Sequence, residues 1–328
     1  MIILTGGAGF IGSVCLGMLN NVGIDDVLVV DNLNTSSKWK NLTNKTFLDY
    51  IHKDEFIELV STENIPNVDS FDKIDAIIHL GACSTTTEEN MDYLIYNNVR
   101  YSQALATFAI KHQIRFIYAS SAATYGAGEK GYLDDHNTIS SLRPLNRYGY
   151  SKQLFDLWCL KNGFINNVVG LKFFNVYGPN EYHKDGQFSG IYRSFLQTKE
   201  TGSIKLFKSA NSDYEDGEQK RDFVYVKDVA NVILWLMNHH EVNGIYNVGS
   251  GKARSWNDLA HAVFSALGMT ERIEYIDTPE NLRKQYQYFT EADITKLRQA
   301  GYSEPMTQLE DGVRDYVINY LNDDFRYF

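Results

Sequence analysis

The chain has 328 residues, long for one compact core and short for three, so two packed subdomains are expected. Its 44% hydrophobic and 22% charged residues are ordinary globular composition, which excludes wholesale disorder, and only 5 prolines exclude a proline-rich linker architecture. A net charge of −10 without a long basic run excludes nucleic-acid binding through a broad basic face. A small anionic ligand needs only a few local cations.

The first residues, Met1 to Gly6, lack the basic start of a signal peptide, and the apolar run Val232 to Met237 is too short to span a bilayer. The expectation is a soluble, cytoplasmic protein. Cys15, Cys83 and Cys159 are odd in number and have no CxxC spacing, so neither a disulfide framework nor a zinc site is expected. Their apolar neighbours predict buried thiols, and no metal site is expected.

In chain order, Ile2 to Leu4, Val27 to Val30, Ala76 to Leu80, Ile114 to Tyr118 and Val168 to Phe174 read as buried strands. Met91, Leu94, Ile95, Val99, Leu105, Ala106, Ala109 and Ile110 follow helical spacing between the third and fourth of them. Strands alternating with helices predict an α/β fold: a Rossmann-type, doubly wound parallel sheet with helices on both faces. After about Gly178 the rhythm changes. A polar segment, Asn180 to Gly190, precedes a helix near Ile191 to Gln197, and an acidic stretch, Ser209 to Lys220, reads as a solvated loop. Residues 221–250 look like a return to the sheet, and helices are expected near Trp256 to Leu267, Ala292 to Ala300 and Leu309 to Leu321. The domain reading is therefore 1–175 with 221–250 as the dinucleotide domain. Residues 176–220 and 251–328 form a smaller, mostly helical substrate lobe.

Directly after the first strand, Gly6, Gly9 and Gly12 stand three apart. Gly6 suits a tight strand-to-helix turn, Gly9 lets backbone approach a pyrophosphate, and Gly12 lets the helix pack on the sheet. The helix start then offers free N–H groups and positive dipole to phosphate. The GxxGxxG spacing points toward the short-chain dehydrogenase/reductase type. Asp31 follows the second strand, where an acid grips an adenosine ribose and favours NAD. Lys38 and Lys53 follow it closely, either as neutralisers of a 2′-phosphate or as ordinary solvated lysines.

Tyr148 and Lys152 form YxxxK, whose i,i+4 spacing puts both on one helix face. A neighbouring ammonium is expected to lower the phenol pKa and make Tyr148 a usable acid/base. Chance alone gives roughly one such pair in a chain with 22 tyrosines, so its company decides. That company is Ser121, placed just past a strand end, where its hydroxyl can bond a substrate oxygen beside Tyr148.

With the glycine triplet, these residues resemble the extended short-chain dehydrogenase/reductases. Phe174 to Pro179 and Arg221 to Asp228 resemble that group's nucleotide-sugar signatures. Gly81 to Glu88, Tyr118 to Gly126, Tyr148 to Lys152, His183-Lys184 and Tyr286 to Thr290 resemble the ADP-L-glycero-D-manno-heptose 6-epimerase family. The resemblance implies an isomerase that uses tightly bound NADP, acts on an ADP-heptose for the lipopolysaccharide inner core, and assembles as a homopentamer. It implies no nucleic-acid or membrane partner. Tyr148 and Lys184 would be the two acid/bases, with Lys152 and Ser121 beside Tyr148. Gly6, Gly9, Phe10, Ile11, Gly12, Asp31, Asn32, Lys38, Lys53, Leu80, Gly81, Ala82, Cys83, Ser84, Asn97, Lys152, Val176 and Lys184 would line the cofactor. Asn175, Gly186, Arg193, Phe207, Lys208, Ser209, Ala210, Arg221 and Tyr286 would hold the nucleotide sugar. Asp228 reads as a helix cap instead. Leu80, Gly186, Arg193 and Lys172 depart from the family pattern and bear on the shape of the sugar site.

Three rivals use the same scaffold or its fold. A UDP-hexose 4-epimerase is opposed by the Lys184 and Cys83 to Glu88 segments. A 4,6-dehydratase would need carboxyl groups where Ala122 and Ala123 stand. A non-catalytic NADP-sensing protein has no need of Ser121, Tyr148 and Lys152 together.

Overall fold

The apolar runs of the first half are buried on both faces, as strands covered by helices on either side must be. A computed structural model describes residues 1–184, 186–280 and 287–328. Its strands are β1 (Ile2–Thr5), β2 (Val27–Asp31), β3 (Asp49–His52), β4 (Ala76–His79), β5 (Arg115–Ser121), β6 (Val168–Phe173), β7 (Asn175–Tyr177), β8 (Ile204–Phe207), β9 (Lys220–Tyr225), β10 (Gly244–Val248), β11 (Ala253–Ser255) and β12 (Ile273–Ile276). The central seven-stranded sheet runs β3-β2-β1-β4-β5-β6-β10, and every neighbouring pair in it is parallel. The strand order reverses between β1 and β4. An open α/β sheet binds ligands in the crevice at that switch point, outside the strands' C-terminal ends.

The helices are α1 (Phe10–Asn21), α2 (Lys53–Thr62), α3 (91–111), α4 (Arg147–Lys161), α5 (Gly190–Thr201), α6 (Val226–Met237), α7 (Trp256–Leu267), α8 (Thr295–Gln299) and α9 (Leu309–Tyr316). Alternation along β1 and β2 sends Ile2, Leu4, Val27 and Val29 to a core shared with α1, α6, α7 and α9. The same alternation sends Ile3, Leu28 and Val30 to the opposite core, under α2, α3 and α4. The helix that carries Tyr148 starts where Asn146 accepts the Gly149 N–H at 2.7 Å, satisfying one otherwise unpaired donor. Ser189 caps α5 in the same way, and Ser255 with Asp258 forms a capping box at α7.

Three expectations change here. The return of 221–250 to the sheet is made by β10 alone; β9 joins β7 and β11 in a separate three-stranded sheet. Residues 176–220 and 251–328, expected to be mostly helical, also hold the parallel β8–β12 pair. Asp228 does not cap α6: both of its oxygens accept from Thr307, at 2.7 and 2.8 Å, so it fixes the approach to α9 instead. Among the described residues no helix is long and apolar enough to cross a membrane, and no cluster of side chains could hold a metal ion.

Candidate active site

The glycine turn lies at the switch point, and steric limits explain its spacing. Gly6 has φ +70, and a Cβ there would sit 2.6 Å from the Gly81 nitrogen. A Cβ on Gly12 would sit 2.1 Å from the Gly6 carbonyl oxygen, so any side chain would push α1 off the turn. Gly9 differs: its Cβ would meet only the Gly6 carbonyl group, leaving bare backbone against an open crevice. That surface, with Phe10 and Ile11 opening α1, fits a dinucleotide's pyrophosphate.

At the ribose end, Asp31 accepts the Ala8 N–H at 2.9 Å, the Asn32 N–H at 2.7 Å and the Lys38 ammonium at 2.6 Å. The register Asp31 to His52 brings Lys53 alongside, where it pairs with Asp54 at 2.6 Å and stands 5.9 Å from the Tyr96 ring centroid. Both lysines thus flank Asp31 with their charge partly neutralised, rather than projecting alone into solvent.

The 80–84 loop is bound to both sides of the crevice. The Leu80 N–H donates to the Thr5 carbonyl and the Gly81 N–H to the Thr5 hydroxyl, each at 3.1 Å. That hydroxyl meets His79 Nδ1 at 2.6 Å, and His79 Nε2 meets Ser102 at 2.8 Å. Burial, helped by the Lys152 charge, pushes His79 down to about 3, so it is a neutral link here. Asn98 closes the loop's far side. Its oxygen accepts the Cys83 N–H at 2.8 Å, and its amide donates to the Cys83 carbonyl and the Ser151 hydroxyl, each at 3.0 Å. A π-helical turn, Ile95–Arg100, re-aims α3 at this point. Asn97, expected along the cofactor, is buried next to Asn98, and its amide donates to the Tyr93 carbonyl at 2.8 Å. Ala82 is half-buried, and Ser84 is exposed at the loop's edge.

Tyr148, Lys152 and Ser121 do come together. The Lys152 ammonium, 6% exposed, donates to the Ala119 carbonyl at 3.0 Å, one residue back along β5 from Ser120 and two from Ser121. Burial pushes it down to about 8, with Asp156 and Cys83 opposing that shift. Burial raises the Tyr148 phenol above its usual range; the Ser121 hydroxyl, bonded to it, pulls it back, and Cys83 pushes it up further. The lowering expected from Lys152 is therefore not what the structure shows. The ammonium is turned to the backbone of β5 and is itself desolvated. Cys15 and Cys159 are buried as expected, but Cys83 is only half-buried and faces this cluster.

Lys184 lies elsewhere in the crevice, its ammonium 4.3 Å from the Phe10 ring centroid. Burial lowers its pKa and the neighbouring Glu181 carboxylate opposes that. Among the described residues no hydrogen bond or ion pair joins Lys184 to Tyr148. The segment before it is locked: Asn180 donates to Ser13 at 2.9 Å and accepts the Phe328 N–H at 2.9 Å, while Asn41 donates to the Asn180 carbonyl at 3.2 Å. His183 meets Asn41 at 3.3 Å and is pushed down to about 4 by burial, Lys184 and Lys38.

The sugar-side residues spread over three strands and a helix. Asn175 and Val176 lie on β7, in register with Phe223 and Val224 two residues past Arg221. Arg221 is 7% exposed and donates to the Lys220 carbonyl at 2.8 Å. Exposed Arg193 reaches the Gly186 carbonyl at 3.3 Å. Phe207 ends β8, followed by Lys208 paired with Asp277 at 3.0 Å, Ser209 held by Asp216 at 2.8 Å, and exposed Ala210. Tyr286 lies outside the described residues.

A glycine turn at the switch point and a Ser–Tyr–Lys set at the end of a nearby strand define a dinucleotide enzyme of the short-chain dehydrogenase/reductase type. The sequence profile of the NAD dependent epimerase/dehydratase family matches residues 2–249. An ADP-L-glycero-D-manno-heptose-6-epimerase of Nitratidesulfovibrio vulgaris is 53% identical over 321 residues, covering 98% of both chains. The enzyme so named in Fusobacterium nucleatum is 49% identical over 331 residues, again with 98% of each covered. The solved ADP-L-glycero-D-manno-heptose-6-epimerase of Helicobacter pylori superposes with a TM-score of 0.80 at 31% identity, covering 97% of this chain and 95% of that one. The chain belongs to the NAD dependent epimerase/dehydratase family, alongside its heptose-epimerase members. It is an enzyme of the isomerase class, and its cofactor is a nicotinamide dinucleotide.

Proposed function

We propose that the protein interconverts the two C6 epimers of ADP-glycero-manno-heptose, with NADP as the bound dinucleotide, in supply of the lipopolysaccharide inner core. The observation that carries this is near-full-length identity of about half the residues to proteins named for that reaction. When bound, the dinucleotide supplies a transient acceptor and donor of two electrons at C6. Gly9, Phe10, Asp31 and the 81–84 loop would hold it, with Lys38 and Lys53 on its 2′-phosphate. The protein's own work is to move one proton on and off the C6 oxygen from two sides. Tyr148 does so from the Ser121 side and Lys184 from the Phe10 side. Because C6 is exocyclic, rotation about one bond presents either face while the nucleotide stays fixed. Arg221 offers a bidentate fork to the diphosphate. We further assign a homo-oligomer, a pentamer by resemblance, in the cytoplasm; native mass spectrometry reads the subunit number.

ADP-heptose should be epimerised, whereas UDP-glucose and UDP-galactose should not. Following the sugar stereocentre by NMR in each incubation decides it. Interconversion of the UDP-hexoses at C4 would move the assignment to a UDP-hexose 4-epimerase.

Cofactor choice has its own test. Protein denatured after purification should release NADP, and Lys38→Ala or Lys53→Ala should each weaken NADP over NAD by about 1.5–3 kcal/mol, the scale of one charge-assisted bond. Calorimetry with both dinucleotides measures it. Equal loss for NAD and NADP would show that the lysines do not read the 2′-phosphate.

A further inference from the structure

Beneath the Ser–Tyr–Lys set lies a buried ion pair that the proposed chemistry has not yet used. Asp156 and Lys172 are both 0% exposed, with Lys172 Nζ 2.7 Å from Asp156 Oδ2. The Tyr118 hydroxyl donates to Asp156 Oδ1 at 2.9 Å and the Ser120 hydroxyl to Oδ2 at 2.8 Å. Lys172 also donates to the Thr124 hydroxyl at 2.7 Å, and Thr124 in turn to the Ser121 carbonyl at 2.8 Å. Side chains alternate along a strand, so Asp156 grips Tyr118 and Ser120 on one face of β5. From the same helix, Lys152 takes the Ala119 carbonyl, and Ser121 is left to face Tyr148. Asp156 also stands one helical turn beyond Lys152, where i,i+4 neighbours interact directly.

We propose that Asp156, paired with Lys172, is a positioning residue that keeps the Lys152 ammonium charged and holds Ser121 in register with Tyr148. The proposal rests on the reading of Tyr148 and Lys152 as the acid/base pair. Burial pushes the Lys152 ammonium toward losing its proton, and Asp156 is the stronger of the two groups opposing that, ahead of Cys83. His79, from β4, feels the Lys152 charge but is itself neutral. Facing Asp156 are Lys172 and Tyr118 from the sheet, with Cys159 on its own helix; Tyr125 and His136 sense it at longer range. Without the carboxylate, two ammoniums remain in one low-dielectric region. Lys152, at the crevice, then gives up its proton at lower pH.

The test is the pH profile of kcat in the dinucleotide-loaded enzyme. Asp156→Asn should lower kcat about tenfold or more with KM for the sugar nucleotide little changed, the scale of impaired acid–base chemistry. Its alkaline limb should move down by about one pH unit, as loss of one close opposite charge requires. Because that variant leaves Lys172 unpaired, Asp156→Leu with Lys172→Met is the companion: it buries no lone charge and should fold. Its limb should also move down, by less because Lys172 is gone as well, while Lys172→Arg should keep the wild-type limb. A limb unmoved in both carboxylate-free variants would overturn the proposal and leave Asp156 a packing group. The underlying reading fails separately: Lys152→Met turning over at the wild-type rate would sink the acid/base pair itself.

Discussion

Lys184→Met should nearly abolish epimerisation, by about a hundredfold to ten-thousandfold, the range that a positioned acid/base supplies. The chemical reason is stereochemical. One phenol on one side of C6 cannot readily serve hydroxyls presented in two opposite orientations. A lysine with its ordinary pKa of about 10.4 is a poor base near neutrality. Burial beside the Phe10 ring lowers Lys184 from that value, against the opposing Glu181 carboxylate, which raises the share of neutral amine at any given pH. Activity that needs this amine as base rises as pH climbs through the lowered pKa. Methionine keeps the apolar stem against Phe10, so the melting temperature and the amount of dinucleotide released on denaturation should match wild type. Progress curves with each ADP-heptose epimer measure the loss. Epimerisation at the wild-type rate would make Lys184 a half-buried lysine with no part in the chemistry.

The frame of this site is legible in the sequence because it is local. Gly6, Gly9 and Gly12 lie within seven consecutive positions that carry a strand end through a turn into a helix start, and the steric conflicts at Gly6 and Gly12 account for the spacing. Tyr148 and Lys152 are one helical turn apart, so their common face follows from α4 alone. What remained hidden is what chain folding brings together. Asn98 bonds the 80–84 loop from a π-helical turn, an irregularity that helical spacing alone does not reveal. Asp156 stands one turn from Lys152, a signal that was available, but its partners Tyr118, Ser120 and Lys172 come from two strands. The upward direction of the Tyr148 shift is hidden from the sequence for a related reason. Spacing puts the lysine near the phenol, but it gives neither the Ala119 carbonyl that takes the ammonium nor the desolvation that raises the phenol. The placement of β9 outside the main sheet is likewise non-local. Its apolar run reads like any buried strand, and only its pairing with β7 and β11 tells the two sheets apart.

Tyr148→Phe should be as damaging as the loss of Lys184, with kcat down by about a hundredfold to ten-thousandfold. Only the hydroxyl is removed. The ring keeps its place in α4, whose start is fixed by the Asn146 cap and not by the phenol. Ser121 retains a backbone partner, the Ala123 N–H at 3.1 Å, so the catalytic loop should hold its shape. The melting temperature should therefore stay within a few degrees of wild type, since an isosteric loss that leaves no buried polar group unpaired is cheap. Dinucleotide binding should also persist, because the glycine turn, Asp31 and the 80–84 loop do not bond to the phenol. The sharper comparison uses an ADP-hexose carrying an aldehyde at C6, two molecules of which, taking up one water, can dismutate to alcohol and acid without inversion. Tyr148→Phe and Lys184→Met should each keep part of that reaction, since either base can serve one face, and the double variant should lose it. A Tyr148→Phe enzyme that still inverts C6 at the wild-type rate would leave the Ser–Tyr–Lys set without its proton carrier and end the two-base scheme.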